Sequence, residues 1–242
     1  EVVHNVDWGG GVAAGKDLLF HAQQGGWYTS ADKGATWVKS YSASGYDYTT
    51  AVRVNDKIFV VARNGRIGVS YDQGKTFTHI DGASPSGSEY RSFAEGNGVI
   101  VSSTFLYSSS SDFIRSTDNG KTWSRVNVGS QSSTVVFNGT EFMWWTGNNL
   151  RKSTDGLTWT NVALKINGAS GSMGGDLLVN YNPTTQTYVA IQPGIPYVAN
   201  PSQKAYRSKD GINWTSLSST QYKNGNFLWS IINAEIDPKY CP

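Results

Sequence analysis

Short runs of β-branched and aromatic residues alternate with turn-forming residues along the whole chain. In one stretch this pattern predicts strands at residues 48–54, 57–62, 65–70 and 76–80. Asn55-Asp56 and Asn64-Gly65 have the composition of the tight turns that connect such strands. No segment keeps the period of an amphipathic helix. The pattern predicts an all-β protein.

The same division into four short strands recurs elsewhere in the chain. It predicts strands at residues 7–14, 17–23, 26–30 and 36–39 near the start, and at 134–137, 141–146, 149–153 and 158–162 further on. Units of this size with four strands are typical of propeller blades. Residues 226–236 predict one more inner or closing strand. We expect a small β-propeller of five four-stranded blades, or five with a partial sixth, forming a single domain over residues 1–242.

A repeated phrase, which we call a box, closes each of the five units. It begins with Ser-x-Asp and ends with Trp or Phe, and its copies occupy residues 30–37, 70–77, 116–123, 153–159 and 208–214. Their aspartates are Asp32, Asp72, Asp118, Asp155 and Asp210. Ser and Asp side chains can bond the N–H groups of their own turn, and the following Gly permits positive φ. The last two copies are one residue shorter, which predicts a different turn.

This phrase closely resembles the Asp-box, or BNR repeat, of sialidase-like β-propellers. The resemblance implies that each box forms the hairpin between the third and fourth strands of a blade, at the periphery, with a structural role for its aspartate. Sialidases also carry three substrate-binding arginines and an Arg-Ile-Pro phrase. This chain has Arg66-Ile67-Gly68 instead, and Arg115, Arg151 and Arg207 lie just before boxes. The resemblance therefore implies the fold of that family without its activity.

Candidate catalytic residues come from comparing the blades. Asp7 and Asp47 each lie 25 residues before the aspartate of their box, and Glu89 and Asp176 precede the predicted inner strands of later blades. Inner strands surround the central channel, so these carboxylates are expected to converge at its mouth. Neighbouring carboxylates repel, and one then keeps its proton near neutral pH. Such a pair supplies the acid and the base or nucleophile of glycoside hydrolysis.

Residues beside these carboxylates are candidates for substrate binding. Aromatic side chains stack on sugar rings, and the chain places several next to the acids. The predicted set is Trp8, Tyr48, Tyr90, Arg91, Trp229 and His4. The arrangement also resembles the five-bladed arabinanase and fructosidase type of glycosidase in architecture and residue type.

The sequence thus predicts a secreted glycoside hydrolase acting on a polysaccharide or oligosaccharide. A polysaccharide lyase is a variant of that prediction. The alternative is a carbohydrate-binding lectin without catalysis, with sites between blades, and a purely structural interaction module is a third interpretation. The loops between boxes differ in length and content, which favours one central site over five equivalent ones.

Composition narrows the classes of partner. The net charge is +2 and only 16% of residues are charged, without a basic stripe, so no nucleic-acid partner is expected. No apolar run is long enough to span a membrane. The sequence predicts a monomer with no cofactor and no metal site. Two glycosylation sequons, at Asn138 and Asn213, support secretion. The single cysteine, Cys241, has no partner for an internal disulfide.

Overall fold

The computed structural model describes residues 12–14, 19–62, 66–72, 74–80, 88–106, 112–128, 134–146, 149–174, 177–192 and 204–217. These residues form strands and turns, and no helix occurs among them. The strands are β1 Val12–Ala14, β2 Leu19–Ser30, β3 Val38–Val54, β4 Lys57–Ala62, β5 Ile67–Ser70, β6 Thr78–Ile80, β7 Ser88–Gly96, β8 Val99–Leu106, β9 Asp112–Ser116, β10 Ser124–Asn127, β11 Val135–Phe137, β12 Phe142–Trp145, β13 Asn149–Ser153, β14 Thr160–Ala163, β15 Lys165–Ile166, β16 Ala169–Ser170, β17 Leu178–Asn182, β18 Thr187–Gln192, β19 Lys204–Ser208 and β20 Asn213–Leu217.

The strands pair into sheets of six, four, four and six strands. Strand β3 takes part in two units, because its first half pairs with β2 and its second half pairs with β4. We therefore number five blades. Blade 1 holds β1, β2 and the first half of β3, and blade 2 holds the second half of β3 with β4–β6. Blades 3, 4 and 5 hold β7–β10, β11–β14 and β17–β20.

The innermost strands of successive blades contact one another in turn. Strand β1 contacts β3, β3 contacts β7, β7 contacts β11, and β11 contacts β17. This order is that of blades arranged around a central axis. Since neighbouring strands in a blade are antiparallel, the inner strands of blades 2 to 5 begin at one edge of the ring and their box turns lie at the other. We call these the start edge and the box edge. In blade 1 the box joins β2 to β3, so it lies on the side where β1 begins.

The hydrophobic core is divided among the interfaces between blades. One cluster between blades 2 and 3 includes Phe59 and Ile100, and others fill the two following interfaces. Trp144 and Trp145 project from opposite faces of β12, as expected for strand neighbours. Both are fully buried, Trp144 against blade 3 and Trp145 against blade 5. Both tryptophans therefore pack between blades.

The predicted fold class is confirmed. The chain is an all-β propeller, and in blades 2 to 5 the box turn connects the third and fourth strands. Blade 1 differs from the prediction, because β2 runs without interruption where the sequence predicts two strands. A register shift between Gln24 and Gly26 accommodates the glycine pair inside the strand, so no turn forms there.

A short hairpin that the sequence does not predict extends blade 5. Strand β15 lies parallel to β20, with Lys165 opposite Asn213, and β16 pairs with β15. The Asn167 side chain donates to Ser216 Oγ at 2.8 Å and accepts from its backbone N–H at 3.1 Å. The chain leaving blade 4 is therefore hydrogen-bonded along the outer strand of blade 5, and it covers that strand's edge.

Candidate functional site

Two of the four predicted catalytic carboxylates lie on described strands. Asp47 is on β3, opposite Gln24, and Glu89 is on β7, opposite Phe105. For both residues the structure describes the backbone alone. Asp7 and Asp176 lie outside the described residues, as do His4, Trp8 and Trp229 among the predicted substrate-binding residues.

Asp47 and Glu89 occupy equivalent positions in their blades. The two-residue turns after their strands are closed by the pairs Val54–Lys57 and Gly96–Val99. Both turns begin with an asparagine at positive φ, 53° for Asn55 and 52° for Asn97. Counted back from these turns, the two carboxylate residues fall at the same place on adjacent inner strands.

The residues that follow the two carboxylates share a further irregularity. Tyr48 pairs with Ala62 and Tyr90 with Thr104, and a register shift comes directly after each tyrosine. Arg91 lies at the second of these shifts. Such bulges bend a strand and redirect the residues around them. The start edge thus presents the same acid–tyrosine–bulge sequence in blades 2 and 3.

Just beyond the bulge, hydroxyl groups tie the inner strands together. Ser92 Oγ accepts from the backbone N–H of Val135 at 2.8 Å and lies 2.9 Å from Ser103 Oγ. Thr134 Oγ1 donates to the Leu177 carbonyl at 2.9 Å and accepts from the Val179 N–H at 3.1 Å. The hydroxyl of one blade thus binds the backbone of the next, which fixes the inner strands of blades 3, 4 and 5 relative to one another.

The five box aspartates are occupied within their own turns. In each box the serine hydroxyl donates to the aspartate and accepts from a backbone N–H further along the turn. In the long boxes the aspartate also accepts from the N–H and hydroxyl of a threonine, such as Thr122 at Asp118. In the short boxes Asp155 and Asp210 accept from two successive backbone N–H groups instead. The different length therefore gives a different turn, as expected.

These hydrogen bonds keep the box aspartates ionised. Donation from the Thr36 hydroxyl and N–H lowers the pKa of Asp32 to about 2, and Thr122 does the same for Asp118. Burial acts to raise the pKa of Asp72 and Asp210, but hydrogen bonds from Thr76 and Asn213 outweigh it and bring both to about 2. Carboxylates held in this way are poor proton donors at neutral pH.

The two sequons differ in their surroundings. Asn138 Nδ2 lies 3.2 Å from the sulfur of the buried Met143, and its oxygen accepts from the N–H groups of Thr140 and Glu141. Asn213 is exposed, and its Nδ2 donates to Asp210 at 2.6 Å. Of the two side chains, Asn213 is the one that faces solvent.

The described part of the chain contains no group of three or more His, Cys, Asp or Glu side chains placed to hold a metal ion.

Within the described residues there is no helix with the length and apolar character needed to cross a membrane.

No protein-family model matches the sequence, and no curated protein matches it in sequence. Solved structures do resemble it. YCF48 bound to a D1 peptide is 13% identical with a TM-score of 0.58, over 88% of this chain and 68% of that one. The extracellular domain of a hybrid two component system from B. thetaiotaomicron is 10% identical with a TM-score of 0.61, over 97% and 37%. The computationally designed Ika8 protein is 12% identical with a TM-score of 0.51, over 84% and 59%. At these identities the likeness is one of fold, the β-propeller.

Proposed function

We propose that the chain is a glycoside hydrolase whose site lies at the start edge of the propeller. The observation that carries this proposal is the equivalence of Asp47 and Glu89, each followed by a tyrosine and a bulge on adjacent inner strands. Two acids brought to the same edge of a ring from neighbouring blades supply the residue types that glycoside hydrolysis requires.

The proposed chemistry divides the two acids by protonation state. One carboxylic acid protonates the leaving glycosidic oxygen, and the other carboxylate activates water or attacks the sugar. Repulsion between two nearby carboxylates is the physical cause of that division. Asp7 and Asp176 are proposed members of the same set. Tyr48 and Tyr90 are proposed to stack on the sugar, with Arg91 at the bulge as a polar contact.

Rigid support of the site favours catalysis over a purely structural role. The Ser92 hydroxyl lies directly beyond the bulge of blade 3 and binds blade 4, and the Thr134 hydroxyl of blade 4 binds blade 5, so the inner strands of three blades are joined. Catalytic groups act efficiently when surrounding contacts hold them in place, because little reorganisation then accompanies the reaction.

We further propose that the chain is a secreted Asp-box propeller. All five boxes share one scheme of serine and aspartate hydrogen bonds, which supports that family. The exposed sequon at Asn213 supports secretion. Two structures with the same fold are of the extracellular domain of one B. thetaiotaomicron protein, which agrees with an extracellular location.

A second candidate function is binding without turnover. YCF48, a protein of the same fold, has been solved with a bound peptide. A lectin that uses the start edge would keep the stacking residues and have no need of the acids.

Release of reducing ends from arabinan, levan and xylan tests the proposal. Wild type is expected to hydrolyse at least one of them. Glu89→Gln and Asp47→Asn are each expected to lower the rate at least about a hundredfold, because each removes a proton-transfer or nucleophilic group. Asp56→Asn is the matched control, since Asp56 lies in the turn after β3 at the box edge. Full activity in both site variants would contradict the proposal. Saturable binding without release would support the lectin, and an unsaturated product would indicate a lyase.

A further inference from the structure

Among the described residues, three buried N–H donors at the interface between blades 3 and 4 have no acceptor. They are Nε1 of Trp144, Nε of Arg151 and Nε1 of Trp159. Trp144 is fully buried. A buried donor without a partner costs about 1–3 kcal/mol, so native proteins rarely leave one unpaired. Three of them together in one interface call for an acceptor.

The three donors belong to a single cluster of touching groups. The Arg151 guanidinium carbon lies 5.0 Å from the centre of the Trp144 ring. The Trp144 and Trp159 rings are 5.8 Å apart and nearly perpendicular. Arg151 is directly opposite Trp144 in the sheet. One small ligand placed at this cluster would therefore be close to all three side chains.

Trp159 departs from the other box tryptophans. Trp37, Trp123 and Trp214 each donate to the carbonyl of their own box glycine, at 3.1, 3.0 and 2.9 Å. Trp159 instead stacks on Phe113 of blade 3, with ring centres 5.0 Å apart and planes 16° apart. The short box does not explain this difference, because the box of Trp214 is equally short. Among the described residues, the Trp159 N–H thus has no acceptor.

Arg151 introduces a positive charge at a position that is otherwise hydrophobic. It lies two residues before its box serine, where blades 3 and 5 have the buried residues Ile114 and Tyr206. Its Nη1 donates to the Val128 carbonyl at 2.7 Å. Within the described ranges no carboxylate pairs with it. Charges at buried interfaces are normally compensated by an opposite charge.

We infer that this cluster, Trp144, Arg151 and Trp159, binds a small anion, and specifically the carboxylate group of an organic acid. A carboxylate offers several lone-pair directions and the negative charge that Arg151 lacks. The site lies between blades 3 and 4, separate from the proposed hydrolytic site, and it does not depend on hydrolytic activity.

Titration with acetate tests this site, with acetamide as a neutral molecule of the same shape, at constant ionic strength. Acetate is expected to raise the thermal midpoint and change tryptophan fluorescence saturably, and acetamide to do neither. Trp159→Phe and Arg151→Lys are each expected to weaken acetate binding about tenfold. Trp159→Phe keeps the stack on Phe113, and Phe77 shows that a box accommodates phenylalanine.

Two variants serve as matched controls. Trp123→Phe removes an indole N–H that is bonded to Gly120, and Arg115→Lys changes an arginine whose Nε donates to the Asp155 carbonyl at 2.7 Å. Both are expected to bind acetate as wild type does. No response to acetate, an equal response to acetamide, or equal affinity in all variants would overturn the inference. So would a crystal structure grown in acetate that shows only water beside the three donors.

Discussion

At the residue scale, each box is a set of mutual hydrogen bonds around one serine and one aspartate. In the third box the Ser116 hydroxyl donates to Asp118 at 2.8 Å and accepts from the Gly120 N–H at 2.8 Å. Gly120 has a φ of 85°, which a residue with a side chain rarely adopts. The formation of a turn therefore explains the repeated phrase. Its aspartates are ionised at neutral pH and have no proton to donate in a reaction.

The ionised state of these aspartates predicts a loss of stability in acid. Hydrogen bonds from Thr122 and Ser116 lower the pKa of Asp118 to about 2, against the ordinary value of 3.8 for an aspartate. Between those values the unfolded chain binds the proton and the folded chain does not. The stabilisation is therefore fully present above pH 3.8 and is lost as the pH falls through about 2.

Urea unfolding at a series of pH values measures this effect. Wild type is expected to lose stability steeply as the pH falls from about 4 to about 2. Asp118→Asn is expected to be less stable at neutral pH and to show a shallower dependence in the same window. An unchanged slope in the variant would show that Asp118 does not contribute.

The role of Arg151 in the inferred anion site could not be predicted from its position in the sequence. Arg151 precedes a box like Arg115 and Arg207, which predicts a structural role. It does donate to a backbone carbonyl. Its place beside Trp144 depends on the pairing of β12 with β13, and its hydrogen bond to Val128 depends on the neighbouring blade. The local sequence carries no signal for either contact.

At the element scale, the strands that follow local signals were predictable. The bounds of β4 and β13 are those that the sequence predicts. The pairing of β15 with β20 was not predictable, because Lys165 and Asn213 are far apart in sequence and a two-residue strand leaves no pattern. The bulges after Tyr48 and Tyr90 were also missed, although their equivalent placement can be found by counting from the turns.

Alanine substitutions at two glycines with positive φ measure how tightly the blades pack. Gly211 has a φ of 71°, and a Cβ there would lie 2.5 Å from the Met143 methyl and 3.0 Å from the Trp145 ring. Gly98 has a φ of 74° and open space around it. Both alanine variants carry the same backbone strain, about 1–2 kcal/mol. Gly211→Ala is expected to lose about 1–3 kcal/mol more, because it overpacks the interface of blades 4 and 5.

The free energies of unfolding of the two alanine variants provide the measurement. Equal losses would mean that the interface adjusts without cost. A Met143→Ala background, which removes the nearest contact, is expected to narrow the difference between the two variants.

At the scale of the whole molecule, residues at matching positions of different blades do not all make the same interblade contact. Arg115 of blade 3 donates to the carbonyl of Asp155 in the box of blade 4. Arg207 lies at the matching position of blade 5 and is exposed. The same residue type therefore has an interblade contact in one blade and faces solvent in another.

This difference predicts unequal effects of the two arginines on stability. Arg115→Ala is expected to lower the free energy of unfolding by about 1–2 kcal/mol, because it removes a charge-assisted hydrogen bond between blades. Arg207→Ala is expected to change it by less than about 0.5 kcal/mol, as for most surface substitutions. Chemical denaturation of both variants measures this. A larger loss of stability for Arg207→Ala than for Arg115→Ala would show that Arg207 stabilises the fold although it is exposed.

The ring also separates structure from proposed function. The boxes of blades 2 to 5 lie at one edge of the ring, and Asp47 and Glu89 lie at the other. Comparison of the blades in the sequence predicted these two carboxylates, because each lies near the start of the inner strand of its blade. The positions of Asp7 and Asp176 in the ring are predicted from the sequence alone.

The most direct test of the central claim is the position of a bound sugar. A crystal structure of Glu89→Gln with an oligosaccharide of the polysaccharide that wild type hydrolyses would show it. The account predicts sugar density at the start edge, beside Asp47 of β3 and Glu89 of β7 and in contact with Tyr48 or Tyr90. Density at the box turns of blades 2 to 5 or between blades, with the start edge empty at saturating ligand, would contradict it.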